Sequence, residues 1–225
     1  QITHPPARDH AAMPAIRLHY RTRSIAMSDQ VIHSLPIDQP IWNRFLTVAP
    51  LVLIGTQEGD RINLAPKHMV TALGHDRFFA FVCTPRHNTY HNLQKTGTFS
   101  VSFPKPDQVV LSALAASPRC DELDAKPILN HLPIRRFPGH ADPFLDGSYL
   151  YFACDHERTI DGFGHHSLIC GQITGVWVDQ DYLYDIERDP DQQLHDHPLL
   201  AYLAYGRFAR IEHSFAFPLP KDFAT

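Results

Sequence analysis

Apolar residues recur along this chain mainly with the period of strands, and helical spacing is confined to short stretches. The run LVLIGTQ (51–57) is followed by Glu58, Gly59 and Asp60 as turn residues, and RINLAP (61–66) then returns, which predicts a hairpin. In DRFFAFVCTP (76–85), Phe78, Phe79, Phe81 and Val82 are too apolar for a half-exposed strand, so it reads as central to a sheet or barrel and ends at Pro85. The period then changes. Tyr90, Leu93 and Gln94 fall at helical spacing, with Lys95 and Gly97 as C-terminal signals. TFSVSF (98–103) alternates Phe99, Val101 and Phe103 against Thr98, Ser100 and Ser102, the pattern of a strand with one solvated face.

Further on, DQVVLSALAAS (107–117) reads as a second helix, capped by Asp107 and stopped by Pro118. Prolines 127, 133, 138 and 143 punctuate a loop-rich excursion packed on the core. Two more strands are expected in SYLYFACDHERTI (148–160) and SLICGQITGVWVD (167–179), joined by the turn-prone DGFGHH. The segment 197–223 reads as helical or mixed in its first half, with a Pro-bounded end. The expectation is a mainly β barrel with a few short helices.

Residues 1–30 are rich in Arg, His and Ala and lack any periodicity that would bury a face. They read as a disordered or non-native extension, with MSDQ at Met27 resembling an ordinary start, leaving 31–225 as one domain. With 225 residues and 44% hydrophobic content the chain can bury a sizeable core. A net charge of -4 argues against nucleic acid or an anionic membrane surface as partner, and no apolar run approaches the roughly 20 residues of a bilayer span. The cysteines, 83, 120, 154 and 170, form no Cys-x-x-Cys pair, which suits buried thiols in a cytoplasmic protein.

Three stretches could carry chemistry. Arg86, His87, Asn88 and Thr89 lie where a strand end meets a helix N-terminus, whose N–H groups and partial positive charge suit an anion. Plain capping by Asn88 or Thr89 is the competing reading. In NLAPKHMV (63–70), Pro66 is expected to break the ladder and free backbone groups for the polar edge of a flat ligand, with Met69 against its face; a strand bulge is the alternative. In HHSLICGQI, His166 opens a strand and Gly171 permits close approach. The pairs His87 with His91 and His195 with His197 lack a third ligand, so no metal site is assigned.

Taken in order, NLAPKHMVTALG, CTPRHNTYHNLQKTGTFSVSF and HHSLICGQITGVWVD resemble the flavin reductase-like family of FMN-binding split barrels. The middle piece is similar to the family pattern through Arg86, Thr89, Asn92, Gly97, Phe99 and Val101, the last through His166 and Gly171. The resemblance implies a split β-barrel, a homodimer, and FMN near the subunit interface. Asn63, Ala65, Pro66, Lys67, His68 and Met69 would contact the isoalloxazine and ribityl chain. Arg86, Asn88 and Thr89 would hold the phosphate, Asn92 belongs to the same motif, and His166 would lie on the nicotinamide side. The implied reaction passes a hydride from NADH or NADPH to flavin; no dedicated catalytic acid or base is assigned. A non-catalytic FMN electron carrier of flavoredoxin type and, from another class, a His-ligated metal β-barrel enzyme are the alternatives.

Overall fold

The structure, a computed structural model, describes residues 31–120 and 126–216. The extension expected at 1–30 and the Pro-bounded end at 217–223 lie outside the described residues. Residues 31–39 carry no helix or strand, and a compact unit runs from Pro40 onward.

In chain order the elements are β1 (Ala49–Pro50), β2 (Val52–Glu58), β3 (Arg61–Lys67), β4 (Val70–Ala72), β5 (Phe78–Cys83), α1 (Asn88–Thr96), β6 (Thr98–Phe103) and α2 (Val109–Leu114). They continue as β7 (Ile134–Arg135), β8 (Phe144–Leu145), β9 (Leu150–Phe163), β10 (His166–Val178), α3 (Pro190–Asp196), β11 (Leu199–Ala204) and β12 (Arg207–Ile211). Seven strands form a curled antiparallel sheet in the order β3-β2-β6-β9-β10-β5-β4. Register shifts in the β9–β10 hairpin, at Cys170/Gly171 and Ile173/Gly175, bend the long strands. A smaller sheet pairs β1-β11-β12, and β7 pairs with β8.

Why β2 reads as an unbroken apolar run is now plain: it is buried on both faces. Val52 and Ile54 join Phe79, Phe81, Phe99, Val101 and Ile169 inside the curl, where Leu93 of α1 fills the core. Leu53 faces the other way, against Leu64, Ala115, Leu129, Leu132 and Leu145. The Pro-rich excursion therefore supplies a second core layer over the outer face, each buried Leu or Phe contributing about 1.5–3 kcal/mol.

That layer corrects the reading of β6. Ser100 and Ser102 are not on a solvated face; both are fully buried. The Ser100 hydroxyl donates to the Pro143 carbonyl, and the Leu145 N–H donates to the Ser102 hydroxyl at 3.0 Å. Gly55 makes room for this, because a Cβ there would run into the Pro143 carbonyl oxygen and Ser100 Oγ.

Other elements also differ from expectation. Pro66 does not break its ladder: β2 and β3 pair without interruption from Val52↔Lys67 to Glu58↔Arg61. Because β3 is the edge strand, the N–H that proline lacks is one that no neighbour needs. The second helix is shorter, with a single 3-10 turn at Pro106–Gln108 preceding α2; Asp107 is not its cap, and the Lys105 N–H donates instead to Gln108 Oε1 at 3.1 Å. The turn in DGFGHH contracts to Gly164 and His165, since Phe163 and His166 already pair. The first half of the segment after His197, expected to be helical or mixed, is a strand pair: LLAYLA and RFARI form β11 and β12 around Tyr205 and Gly206.

Candidate functional site

The turn after β5 brings Arg86 and His87 to the start of α1. His87 is the N-cap residue, with extended backbone and no side-chain cap bond. Neither Asn88 nor Thr89 caps the helix, so the capping reading fails. Thr89 Oγ1 accepts from Asn63 Nδ2 at 2.9 Å in a buried contact, and Asn88 Nδ2 donates to Glu58 Oε1 at 2.9 Å. Both bonds tie the first turn of α1 to the β2–β3 hairpin, and the helix opens with its N–H groups uncapped by side chains.

Beside this turn lies a cavity of about 310 Å³. One wall is the edge strand β3, through Asn63, Ala65, Pro66 and Lys67; a second is Arg86, His87, Asn88 and Thr89. The third comes from the excursion, through the 116–119 turn and Lys126. Sequence reasoning did not find this wall. Its only local signal was two cations, Arg119 and Lys126, in a Pro-punctuated loop.

The cavity is electropositive. Lys67 Nζ lies 3.4 Å from His87 Nδ1, and Lys126 Nζ donates to the Ala115 carbonyl at 3.1 Å. Burial, then the charges of Arg119 and Lys67, hold the Lys126 ammonium below its usual range. Burial, then Lys67, Lys126 and His166, does the same to the His87 imidazole. Glu58, bound by Asn88 and by Arg119, is the carboxylate placed against these cations. Lys67, Arg86 and Lys126 gathered at an uncapped helix start make a place for an anion.

The remaining expected residues lie around this cavity and do not line it. Asn92 is buried beneath α1 and donates to Thr56 Oγ1 at 3.0 Å, anchoring the helix to β2. The His68 ring stacks on Tyr202 of β11 at 3.9 Å between centroids, and burial followed by the Lys67 charge lowers its pKa. Met69 is exposed, and its carbonyl accepts from the Val82 N–H at 2.9 Å. His166 lines a neighbouring cavity with Tyr90, Asp161 and Ser167; Arg86 lines both. Gly171 is required where Phe99 packs, since a Cβ there would lie 2.5 Å from the ring. Among the described residues no group of three or more His, Cys, Asp or Glu is placed to hold a metal ion, and no helix is long and apolar enough to cross a membrane. The His87/His91 and His195/His197 pairs thus find no third ligand there; His195 stacks on His213 instead.

The curled seven-stranded antiparallel sheet with its short helices is the fold of split-barrel flavin reductases. The family model described as flavin reductase like domain matches residues 44–199, and the chain belongs to that family. An FMN-binding protein from Thermus thermophilus, solved with bound 1-cyclohex-2-enone, is 26% identical, with 84% of this chain and 98% of that chain covered and a TM-score of 0.63. The 2-nitrobenzoate 2-nitroreductase of Pseudomonas fluorescens shares the fold at 17% identity, covering 85% and 95% of the two chains with a TM-score of 0.67. So does nitrilotriacetate monooxygenase component B from Mycobacterium thermoresistibile, at 19% identity, 80% and 89% coverage and a TM-score of 0.62. No relative is found among curated proteins.

Proposed function

We propose that the chain is an FMN-binding oxidoreductase that takes its electrons from NADH or NADPH, working as a cytoplasmic homodimer with residues 31–225 as the functional domain. The observation that carries this reading is the convergence of Lys67, Arg86 and Lys126 on the uncapped start of α1. The donor set fits a phosphate monoester: a guanidinium, two ammonium groups and first-turn N–H groups face one cavity, and the bond to Asn63 holds Thr89 beside it. Along β3 the outer edge has no strand partner among the described residues, so its outward backbone groups are available to the polar edge of a flat ring.

When bound, the flavin supplies the redox chemistry by accepting a hydride from the reduced nicotinamide. The protein's own part is positional. Arg86 borders both the phosphate cavity and the cavity of His166, and in this reading orients the two nucleotides relative to each other. His68 and Met69, at the end of β3, flank the ring. The stack of His68 on Tyr202 fixes that end of the strand.

One observation favours the electron-carrier alternative: the excursion walls the cavity through residues 116–119 and Lys126, restricting access from that side. Titration of the protein with FMN, followed by flavin fluorescence, tests the common part of both readings. Saturable quenching that Arg86→Ala weakens is the expected result, and absence of binding would leave only the fold in common with the family. Steady-state oxidation of NADH or NADPH by the FMN-loaded protein then separates reductase from carrier.

A further inference from the structure

At the opposite end of α1 lies a second cavity, of about 640 Å³, remote from the flavin site in both position and charge. Its floor is apolar, made by the buried Phe144 and Ala153, while Phe99 and Cys154 border it from the strands with their side chains in the core on the other face of the sheet. Its rim is polar, with Gln57, Thr96, Thr98 and Thr174, and besides the buried Cys154 thiol its ionisable lining groups are Asp142, Asp155 and His140. Among the described residues no lysine or arginine lines it.

Asp142 is the key group, a carboxyl only 4% exposed that nonetheless faces a cavity. The fit of the excursion on Gly55 places it there, because Asp142 immediately precedes the Pro143 carbonyl that Ser100 binds. Its Oδ1 accepts from the Gln57 N–H at 3.0 Å, and the Thr98 side chain also bonds to it. Burial raises its pKa against the opposing pull of these bonds and of the Arg136 and His140 charges. Arg136 is exposed and occupied with the Ala141 carbonyl, so it adds charge nearby without lining the cavity. The C-terminal turn of α1, ending at Thr96, adds partial negative charge at the same rim.

An apolar pocket with a few convergent polar groups and a buried, perturbed carboxyl has the composition of a small-molecule site. We propose that this cavity binds a small organic cation, an ammonium group on a compact apolar body, with the ammonium on Asp142 and Asp155 and the body against Phe144 and Ala153. The site needs no flavin, so its fate is independent of the function proposed above.

The test is a 15N–1H NMR titration of the full chain with benzylamine hydrochloride near neutral pH, and with benzyl alcohol as the uncharged match. Saturable shifts centred on Thr98, Asp142, Asp155 and Thr174 are expected with the amine, and binding at least about tenfold weaker with the alcohol. Asp142→Asn should weaken amine binding by about tenfold while leaving FMN binding unchanged. If that variant fails to fold, Asp155→Asn, on an exposed side chain, should also weaken it. Equal binding of amine and alcohol, shifts mapping elsewhere, or affinity indifferent to both carboxylates would overturn the proposal.

Discussion

At its N-terminal end α1 meets Lys67, Arg86 and Lys126, while at its C-terminal end it adjoins a cavity lined by Asp142 and Asp155. Both cavities are built the same way, each completed by one stretch of the Pro-rich excursion: residues 116–119 with Lys126 at one end, 139–142 and Phe144 at the other. The charges follow the helix's own polarity, cations at its positive N-terminal end and carboxylates at its negative C-terminal end. A nine-residue helix is ~13 Å long, more than one Debye length at physiological salt, so the two fields are largely independent. What the contrast teaches is that the excursion is not padding, since removing it would leave both sites a wall short.

Stripping the cationic end should have the largest effect. The double variant Arg86→Ala/Lys126→Ala loses two charge-assisted contacts, each worth about 1.5–2 kcal/mol, so FMN should bind on the order of several hundredfold more weakly in a fluorescence titration. Benzylamine binding at the other end should not change. If both ligands weaken together, the two ends are one site and the comparison fails.

Next in size is Gly55→Ala, which sharpens the claim that the excursion is seated by backbone contact. The added Cβ must displace the Pro143 carbonyl or the Ser100 side chain, neither of which is free to move far from its buried place. Overpacking of this kind costs about 2–3 kcal/mol, read as a lowered urea midpoint. The acidic end should suffer more than the cationic one, because Pro143 adjoins Asp142.

Much of this was legible in the sequence and some of it was not, for identifiable reasons. The β2–β3 hairpin, β5, α1 and the long hairpin followed from local period and turn residues. Seven of the cavity's lining residues, Asn63, Ala65, Pro66, Lys67, Arg86, Asn88 and Thr89, stand in two short contiguous stretches that the family resemblance singled out. Arg119 and Lys126 were hidden, since nothing local ties a cation in an irregular loop to a helix start far away in the chain. Ser100 and Ser102 misled for the same reason: alternation reports chemistry, and burial of the polar face came from a segment some 40 residues on, which satisfies both hydroxyls. In β11 the run LLAYLA offers helical and strand spacing equally, and only its partner β12 decides.

Of moderate size is the expected effect of Asn92→Ala. Asn92 belongs to the family-like motif, yet it bonds Thr56 beneath the helix and does not reach the cavity. Loss of that buried bond should cost about 1–2 kcal/mol of stability by denaturant unfolding, with FMN affinity changed less than by Arg86→Ala. A larger loss of FMN binding than Arg86→Ala gives would place Asn92 among the ligand contacts instead.

The smallest effect is a pH dependence confined to the cationic end. Burial, then Lys67, Lys126 and His166, holds the His87 imidazole below its ordinary value of 6.5 in the free protein. For folding, the native state then binds fewer protons than the unfolded chain, so the His87 contribution to stability is present above 6.5 and lost as pH falls toward the depressed value. For binding the sign reverses. A phosphate in the cavity offsets the positive charges, raises the His87 pKa and makes binding take up a proton, so affinity gains from a fall in pH through that range. The phosphate's own second ionisation, near pH ~6, works against this by reducing the ligand's charge. The informative quantity is therefore a difference between proteins: the ratio of wild-type to His87→Gln affinity for FMN should rise by a few-fold, less than about tenfold per unit of pKa shift, between pH ~8 and ~6. A flat ratio would put the phosphate out of reach of His87, and with it out of the first turn of α1.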